Sequence, residues 1–194
     1  MDRLRAHDLV RLTPRAVARI ARSAPRWVER SLDAAPWAVV RRARVPGAVA
    51  VGVRGDHRDE RFATELQIED IACVLTPEGL LERPATRVLD AFVALASVAR
   101  VGKELGFRLG PTGSVGFELA TGVTCVSARS DLDVVVRAHP SNPALRRFDE
   151  ALRELPVRID VEIAFGEACG VALEEALRAG PMLVKTPAGP RIRS

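Results

Sequence analysis

Two acids, Asp131 and Asp133, stand one residue apart where the chain enters a run of three valines at 134–136. Successive side chains of a β-strand point to opposite faces, so acids with this spacing share one face of the strand. Paired carboxylates are a poor way to build a hydrophobic core, but their hard oxygen atoms suit a divalent cation such as Mg²⁺. The spacing therefore predicts a strand that carries a metal site.

The surroundings of these acids favour phosphoryl chemistry. The step Gly113-Ser114 lies in a glycine-rich turn before a predicted helix, where backbone amides and the helix N-terminus can contact a polyphosphate. Downstream, the segment 157–165 alternates apolar and polar residues, with Asp160 and Glu162 on its polar face. A carboxylate from this second strand would complete a two-metal site. Each feature alone is also explained by a solvated turn or strand face, and it is their joint order that favours a site.

The chain divides near Pro84 into two predicted domains, residues 1–84 and 85–194. The first has two β-runs within 37–55, joined at Pro46-Gly47, and predicts a small α+β domain for carrier-protein or substrate recognition. The second also mixes helices and strands, so the predicted fold class is α+β. Its predicted order is a helix within 85–107, the Gly-Ser turn and a helix, the Asp-x-Asp strand, a helix at 141–155, the acid strand, a helix at 167–180 and a strand at 182–186.

Composition and motif spacing exclude several classes of protein. With 47% hydrophobic residues the chain can bury a core, and no apolar run is long enough to span a membrane, which predicts a cytoplasmic protein. The three cysteines have no C-x-x-C spacing and the three histidines are dispersed, which argues against zinc. The glycines do not form G-x-G-x-x-G and no Walker A sequence exists, so Rossmann and P-loop folds are excluded.

A net charge of +4 favours acidic partners. Arginines concentrate in the first domain, where they could line a phosphate-binding face or form a solvated surface. The arginines that could line this face are Arg41, Arg42, Arg44, Arg54, Arg58 and Arg61.

The central motifs resemble the signature of the polymerase-β-type nucleotidyltransferase superfamily, and the order of elements after residue 85 agrees with it. More specifically, the chain resembles the phosphoribosyl-dephospho-CoA transferases of malonate decarboxylase, also called holo-acyl-carrier-protein synthases. The similarity covers nearly the whole chain. The segments that carry it are GPTGSVGFELATG, SDLDVVV, the early HDLVRL and PWAVVRRA, and the closing LVKTPAGPRI.

The resemblance implies a mixed β-sheet flanked by helices after the first domain, and a metal-dependent nucleotidyltransferase (EC 2.7.7). Such enzymes take 2′-(5″-triphosphoribosyl)-3′-dephospho-CoA, join its phosphoribosyl-dephospho-CoA part to a serine of the acyl-carrier subunit, and release pyrophosphate. By position, Asp131 and Asp133 match the paired ligands of Mg²⁺ or Mn²⁺. Gly113 and Ser114 match the phosphate-binding step.

Three further residues complete the predicted site. Asp160 is the preferred third acid because it stands in an R-[IV]-D-[VI] context, and Glu162 is the alternative. Arg129 and Lys185 are proposed as phosphate contacts on charge and location, and a surface role would explain either equally well.

Two other functions remain open from the sequence. The same fold could transfer a nucleotide to RNA, a small molecule or another protein, because a fold does not fix its substrate. The chain could also be a catalytically silent basic binding protein. Against nucleic-acid binding stand the low aromatic content, 4% with no tyrosine, and the retention of both acids.

Overall fold

The computed structural model describes residues 4–57, 59–85 and 87–193, which form two compact units, Met1–Thr76 and Pro77–Ser194. The protein is α+β, as predicted. The boundary expected near Pro84 falls inside the second unit, because a short helix at Pro77–Leu80 packs on a strand of that unit. No helix within the described ranges is both long and apolar enough to cross a membrane.

The first unit is an antiparallel sheet with helices packed on its core. Its strands lie in the order β4-β3-β2-β1-β5, and a 3₁₀ turn, Ile68–Asp70, precedes β5. The elements are β1 Leu9–Leu12, α1 Pro14–Ala21, α2 Arg26–Ala34, β2 Trp37–Val40, β3 Val49–Arg54, β4 Arg61–Leu66 and β5 Ile71–Leu75.

Short amphipathic helices close the core of this unit. Thr13 caps α1 by accepting a 3.3 Å hydrogen bond from the Ala16 amide. Ile20 of α1 and Leu32 of α2 are buried in the core formed with the strands. The predicted pair of β-runs is confirmed, since β2 and β3 pair antiparallel and Gly47 turns with φ of 71° between them.

Arginines line one exposed part of the first unit. Arg54 and Arg61 are directly opposite each other on β3 and β4, so their side chains share a face. That face includes Gly52, whose Cα faces the side-chain carbons of Arg41. Arg58 lies outside the described residues.

The second unit is built on a mixed sheet in the order β11-β10-β9-β8-β7-β6, in which only β7 and β8 pair in parallel among the described strands. The elements are α3 Pro77–Leu80, α4 Asp90–Glu104, β6 Arg108–Pro111, α5 Gly113–Thr121, β7 Leu132–Arg137, α6 Ala144–Leu152, β8 Ile159–Phe165, β9 Cys169–Ala172, α7 Leu173–Leu177, β10 Met182–Thr186 and β11 Gly189–Arg193.

The sheet of the second unit has an apolar face and a mixed face. Val134 and Val136 of β7 are fully buried, and α4 packs on this side with Gly102 against Leu109. On the other face, α3 packs on β6, and Arg137 of β7 donates a 2.9 Å hydrogen bond to Glu78 of α3. The acids of β7 and β8 lie on this second face.

The helix predicted at 167–180 is wrong over its first half, where the chain forms β9. Gly166 and Ala168 take positive φ values of 53° and 71° and turn the chain back onto β8. β9 then pairs with β8 and buries Val171. Pairing with an adjacent strand satisfies the backbone and overrides the helix-like spacing. Only α7 remains of the predicted helix, and β6 and β11 had no sequence prediction.

Candidate active site

The parallel pair β7–β8 brings acids of two strands together. Asp133 is in register with Asp160, and the Leu132 amide donates a 3.0 Å hydrogen bond to the Arg158 carbonyl. Register partners on neighbouring strands share a face and lie about 4.8 Å apart. Asp131 precedes the first residue of β7, and all three acids are half-buried. The alternation that places an acid on each strand thus gathers them at one point of the sheet.

The N-terminus of α5 adjoins this point. The Thr112 amide donates a 2.8 Å hydrogen bond to the Asp133 carbonyl, and Gly113 follows with φ of 57°. A Cβ atom on Gly113 would overlap the Asp133 carboxylate, so both the backbone conformation and the space require glycine here. The first amides of a helix lack intrahelical partners and carry partial positive charge. Gly113 and Ser114 therefore present anion-binding groups beside the acids.

Arg158 contacts one of the acids, and the sequence analysis did not identify it as a site residue. Its Nε atom donates a 3.0 Å hydrogen bond to Oδ1 of Asp160. That bond, the charge of Asp160 and the charge of Asp131 raise the pKa of Arg158 above its ordinary value. An exposed guanidinium that is bonded to Asp160 and attracted by the charge of Asp131 partly balances the repulsion of the two acids and can turn toward a bound phosphate.

The residues suit a divalent cation in chemistry, and the three acids lie near each other on the sheet without their side chains being grouped as ligands. Across residues 4–57, 59–85 and 87–193, no three His, Cys, Asp or Glu side chains are grouped as metal ligands. The Asp160 carboxylate is turned to Arg158. Asp131 and Asp133 offer hard oxygen atoms on one face, and the lack of a Cβ at Gly113 lets the Asp133 carboxylate lie against the start of α5. The metal site therefore stays a prediction, with Asp131 and Asp133 as the pair that fits.

The alternative third acid has a partner of its own. Lys185 of β10 donates a 2.8 Å hydrogen bond from Nζ to Oε2 of Glu162. Glu162 lies two residues after Asp160, on the same face of β8, and its register partner on β7 is Val135. The structure thus places the predicted phosphate contact Lys185 next to the acids, in an ion pair. The other predicted contact, Arg129, lies on an exposed turn just before Asp131, where its amide bonds to Ser127.

An ion pair between buried Glu118 and half-buried Arg87 fixes the loop that leads to Asp131, and the sequence analysis missed it. Glu118 of α5 is 1% exposed and accepts 2.8 Å hydrogen bonds from the amides of Cys125 and Val126. Arg87 donates to both oxygens of Glu118, at 2.8 and 2.9 Å, and to the Val126 carbonyl. The available signal was a single acid in the otherwise apolar helix GSVGFELAT.

The protonation state of Glu118 follows from these contacts. Burial alone would raise the pKa of Glu118, but the two amide bonds and Arg87 outweigh burial and lower the pKa below its ordinary value. The carboxylate is therefore charged near neutral pH. It holds the loop at 123–126 against α5, immediately upstream of the Ser127–Ser130 turn and Asp131.

Comparison with known proteins agrees with the division of the chain into two units. Residues 80–194 match the family model of the phosphoribosyl-dephospho-CoA transferase MdcG C-terminal domain, and residues 5–77 match that of its N-terminal domain. No solved structure matches the chain.

Curated relatives align along nearly their whole length. A phosphoribosyl-dephospho-CoA transferase of Pseudomonas fluorescens (strain Pf0-1) is 38% identical over 191 residues, 93% of this chain and 88% of the relative. One from Pseudomonas putida (strain W619) is 41% identical, over 96% of this chain and 91% of the relative. One from Klebsiella pneumoniae (strain 342) is 40% identical, over 97% and 93%. The chain therefore belongs to the phosphoribosyl-dephospho-CoA transferase family.

Proposed function

We propose that this protein is a metal-dependent nucleotidyltransferase that modifies the acyl-carrier subunit of malonate decarboxylase. Its donor is 2′-(5″-triphosphoribosyl)-3′-dephospho-CoA. The serine oxygen of the carrier bonds to the phosphorus nearest the ribose, the bond from that phosphorus to the β-phosphate breaks, and pyrophosphate leaves. Family membership and relatives named for this transfer support the proposal.

The chain's own residues have distinct roles in this scheme. The amides at Gly113 and Ser114 bind the triphosphate at the N-terminus of α5. Arg158 exchanges its bond with Asp160 for one with the phosphates. Asp160, released by that exchange, accepts the proton of the serine hydroxyl. Binding of the donor would thus prepare the base that the reaction needs.

Asp131 and Asp133 would hold Mg²⁺ or Mn²⁺. Such a cation supplies charge that stabilises the attacking and leaving oxygens. Arg129 and Lys185 are proposed to contact the outer phosphates. Lys185 would then share its charge between the donor and Glu162, to which it is bonded.

The observation that carries the proposal is the register of Asp133 with Asp160 beside the positive φ of Gly113. Acids on adjacent strands repel each other, and such an arrangement is expected where the charges are used. A binding protein without catalytic activity would gain nothing from two acids in register. This favours catalysis over the second alternative left open by the sequence.

The test is transfer to purified carrier. The protein is incubated with the donor, Mg²⁺ and the apo carrier subunit, and the carrier is weighed by mass spectrometry. We expect a gain equal to phosphoribosyl-dephospho-CoA, with release of pyrophosphate. A carrier in which the acceptor serine is replaced by alanine is the control. No gain on the carrier, but labelling of RNA or of another protein with a common nucleoside triphosphate, would contradict the proposal.

A further inference from the structure

Charged side chains of both signs meet on one face of the parallel pair β7–β8. Asp133 is in register with Asp160, and the Leu132 amide donates a 3.0 Å hydrogen bond to the Arg158 carbonyl. Asp131 and Arg158, each one residue before its strand, are therefore neighbours. Alternate residues of a strand share a face, so Asp131 lies with Asp133, and Arg158 lies with Asp160. Three carboxylates and one guanidinium thus belong to the same face of the sheet.

The guanidinium of Arg158 is engaged by these acids. Its Nε atom donates a 3.0 Å hydrogen bond to Oδ1 of Asp160, and Nη2 lies 3.0 Å from the same oxygen atom. The bond and the charge of Asp160, then the charges of Asp131 and of Glu174 on α7, raise the pKa of Arg158. The guanidinium therefore stays charged and partly neutralises acids that different segments of the chain bring together.

The same acids are those that fit a divalent cation. A cation at Asp131 and Asp133 is attracted by their two negative charges, but the positive charge of Arg158 beside them repels it. The Arg158 side chain is 72% exposed, so it can turn into solvent without opening a cavity or leaving a buried group without a partner. The affinity of the acids for a cation therefore depends on where the guanidinium lies.

We propose that Arg158 is a positioning residue that competes with the divalent cation for the acids of β7 and β8. This rests on the proposed function, from which the cation at Asp131 and Asp133 is taken. While Asp160 holds the guanidinium, the cation binds weakly. A polyphosphate donor that draws the guanidinium away leaves the acids their full negative charge, so donor and cation each raise the affinity of the protein for the other by the same factor.

The experiment measures binding of Mn²⁺ alone to the full chain by electron paramagnetic resonance, without donor or carrier. The test variant is Arg158→Gln. The matched control is Arg153→Gln, because Arg153 is an arginine of the same unit that is 74% exposed and bonded to Asp149. Arg158→Gln is also made in an Asp160→Asn background, where the charge that holds the guanidinium is absent. Circular dichroism with a thermal melt checks the fold of each variant.

We expect Arg158→Gln to tighten Mn²⁺ binding about five- to tenfold, because a positive charge beside the cation is removed. The control should change the affinity by less than about twofold, since water and salt screen a charge that is already paired. In the Asp160→Asn background, Arg158→Gln should likewise have less than about a twofold effect, because the guanidinium is already free to turn into solvent.

Unchanged or weaker Mn²⁺ binding in Arg158→Gln would overturn the proposal, as would equal tightening in the control. Equal tightening with and without Asp160→Asn would also overturn it, since the effect would then come from net charge and not from a held guanidinium. Mn²⁺ binding that is undetectable in every variant would overturn it too.

Transfer assays separate this proposal from the proposed function. In the unsubstituted protein, the apparent activation constant for free Mn²⁺ should fall as the donor concentration rises, and in Arg158→Gln it should not depend on donor. The same dependence in both proteins would overturn the proposal. The expected Mn²⁺ binding without any transfer to the carrier would retain the competition and reject the reaction. Transfer with equal Mn²⁺ binding in all variants would retain the reaction and reject the competition.

Discussion

The two units place like charges together in different ways. In the first unit, Arg54 and Arg61 oppose each other on β3 and β4, and β4 is an edge strand where long side chains reach solvent. In the second, Asp133 and Asp160 oppose each other on β7 and β8, both interior strands of their sheet. Arg61 is exposed on this edge and Arg54 is half-buried beside it, so water and salt screen much of their repulsion. Half-buried acids between interior strands repel each other more strongly, and this difference supports the proposal that the second unit carries the catalytic site.

The strongest way to break this comparison is to neutralise the paired acids. Asp131→Asn or Asp133→Asn should lower transfer by several orders of magnitude, because a ligand charge at the reacting phosphate is lost. Asn keeps the size of Asp, so the melting temperature should stay the same or rise as repulsion with Asp160 falls. Steady-state kinetics and a thermal melt measure both effects.

Asp149→Asn is the control for the paired acids. Asp149 is an acid of the same unit whose partner is the exposed Arg153 on the same helix. Loss of the Asp149 charge should change turnover little. Near-normal turnover in either Asp131 or Asp133 variant would remove the metal assignment.

Substitution of the third acid should have the second largest effect on turnover. Asp160→Asn should reduce turnover far more than Glu162→Gln, because Asp160 adjoins Asp133 in register while Glu162 is engaged by Lys185. Kinetics on both purified variants decide the ranking. The reverse order would move the role to Glu162, and two mild effects would leave a site with two acids.

The main elements could be predicted because their signals are local. The periodic apolar residues of 85–107 predict α4, the alternation of 157–165 predicts β8, and the Pro46-Gly47 turn predicts the β2–β3 hairpin. The family resemblance was confirmed by the family models. These features depend on neighbours in sequence, which a single chain displays directly.

What could not be predicted depends on contacts between distant residues. The sequence of β9 has helix-like spacing, and it forms a strand because it pairs with β8. The contact of Arg87 with Glu118 joins residues 31 positions apart, and neither has a motif. The bond of Arg158 to Asp160 spans only two residues, but its significance depends on the parallel register with β7.

The pair of Arg87 with buried Glu118 should show a smaller effect, mainly on stability. Glu118→Gln leaves Arg87 and two loop amides without a charged acceptor, so we expect a loss of about 2 to 3 kcal/mol in the free energy of unfolding. Because the loop leads to Asp131, turnover should also fall. Urea titration and kinetics measure the two effects.

The pH dependence of this loss has a defined sign. The folded-state pKa of Glu118 is lowered from its ordinary value of 4.5, so its stabilisation is present above that value and is lost as pH falls through the lower folded-state pKa. The stability difference between the unsubstituted protein and Glu118→Gln should therefore narrow in acid. Glu104→Gln is the control, since the exposed pair of Glu104 with Arg100 is worth only about 0.5 kcal/mol. A difference that is constant with pH, or as small as the control's, would contradict the role of this pair.

We expect the smallest effect from the first unit. Its variants test whether the positive charge of this unit attracts the carrier at long range. A net charge of +4 should speed encounter with an acidic carrier through attraction that salt screens over about 8 to 10 Å. Reversing Arg41 and Arg42 together to Glu should therefore lower transfer a few-fold at low carrier concentration and little at saturation, because steering acts on association. Neutral replacement of both by Gln should give about half that effect on a logarithmic scale, since the attraction scales with charge. Stopped-flow association at several salt concentrations measures it. Rates insensitive to salt and to both double variants would show that Arg41 and Arg42 do not guide the carrier.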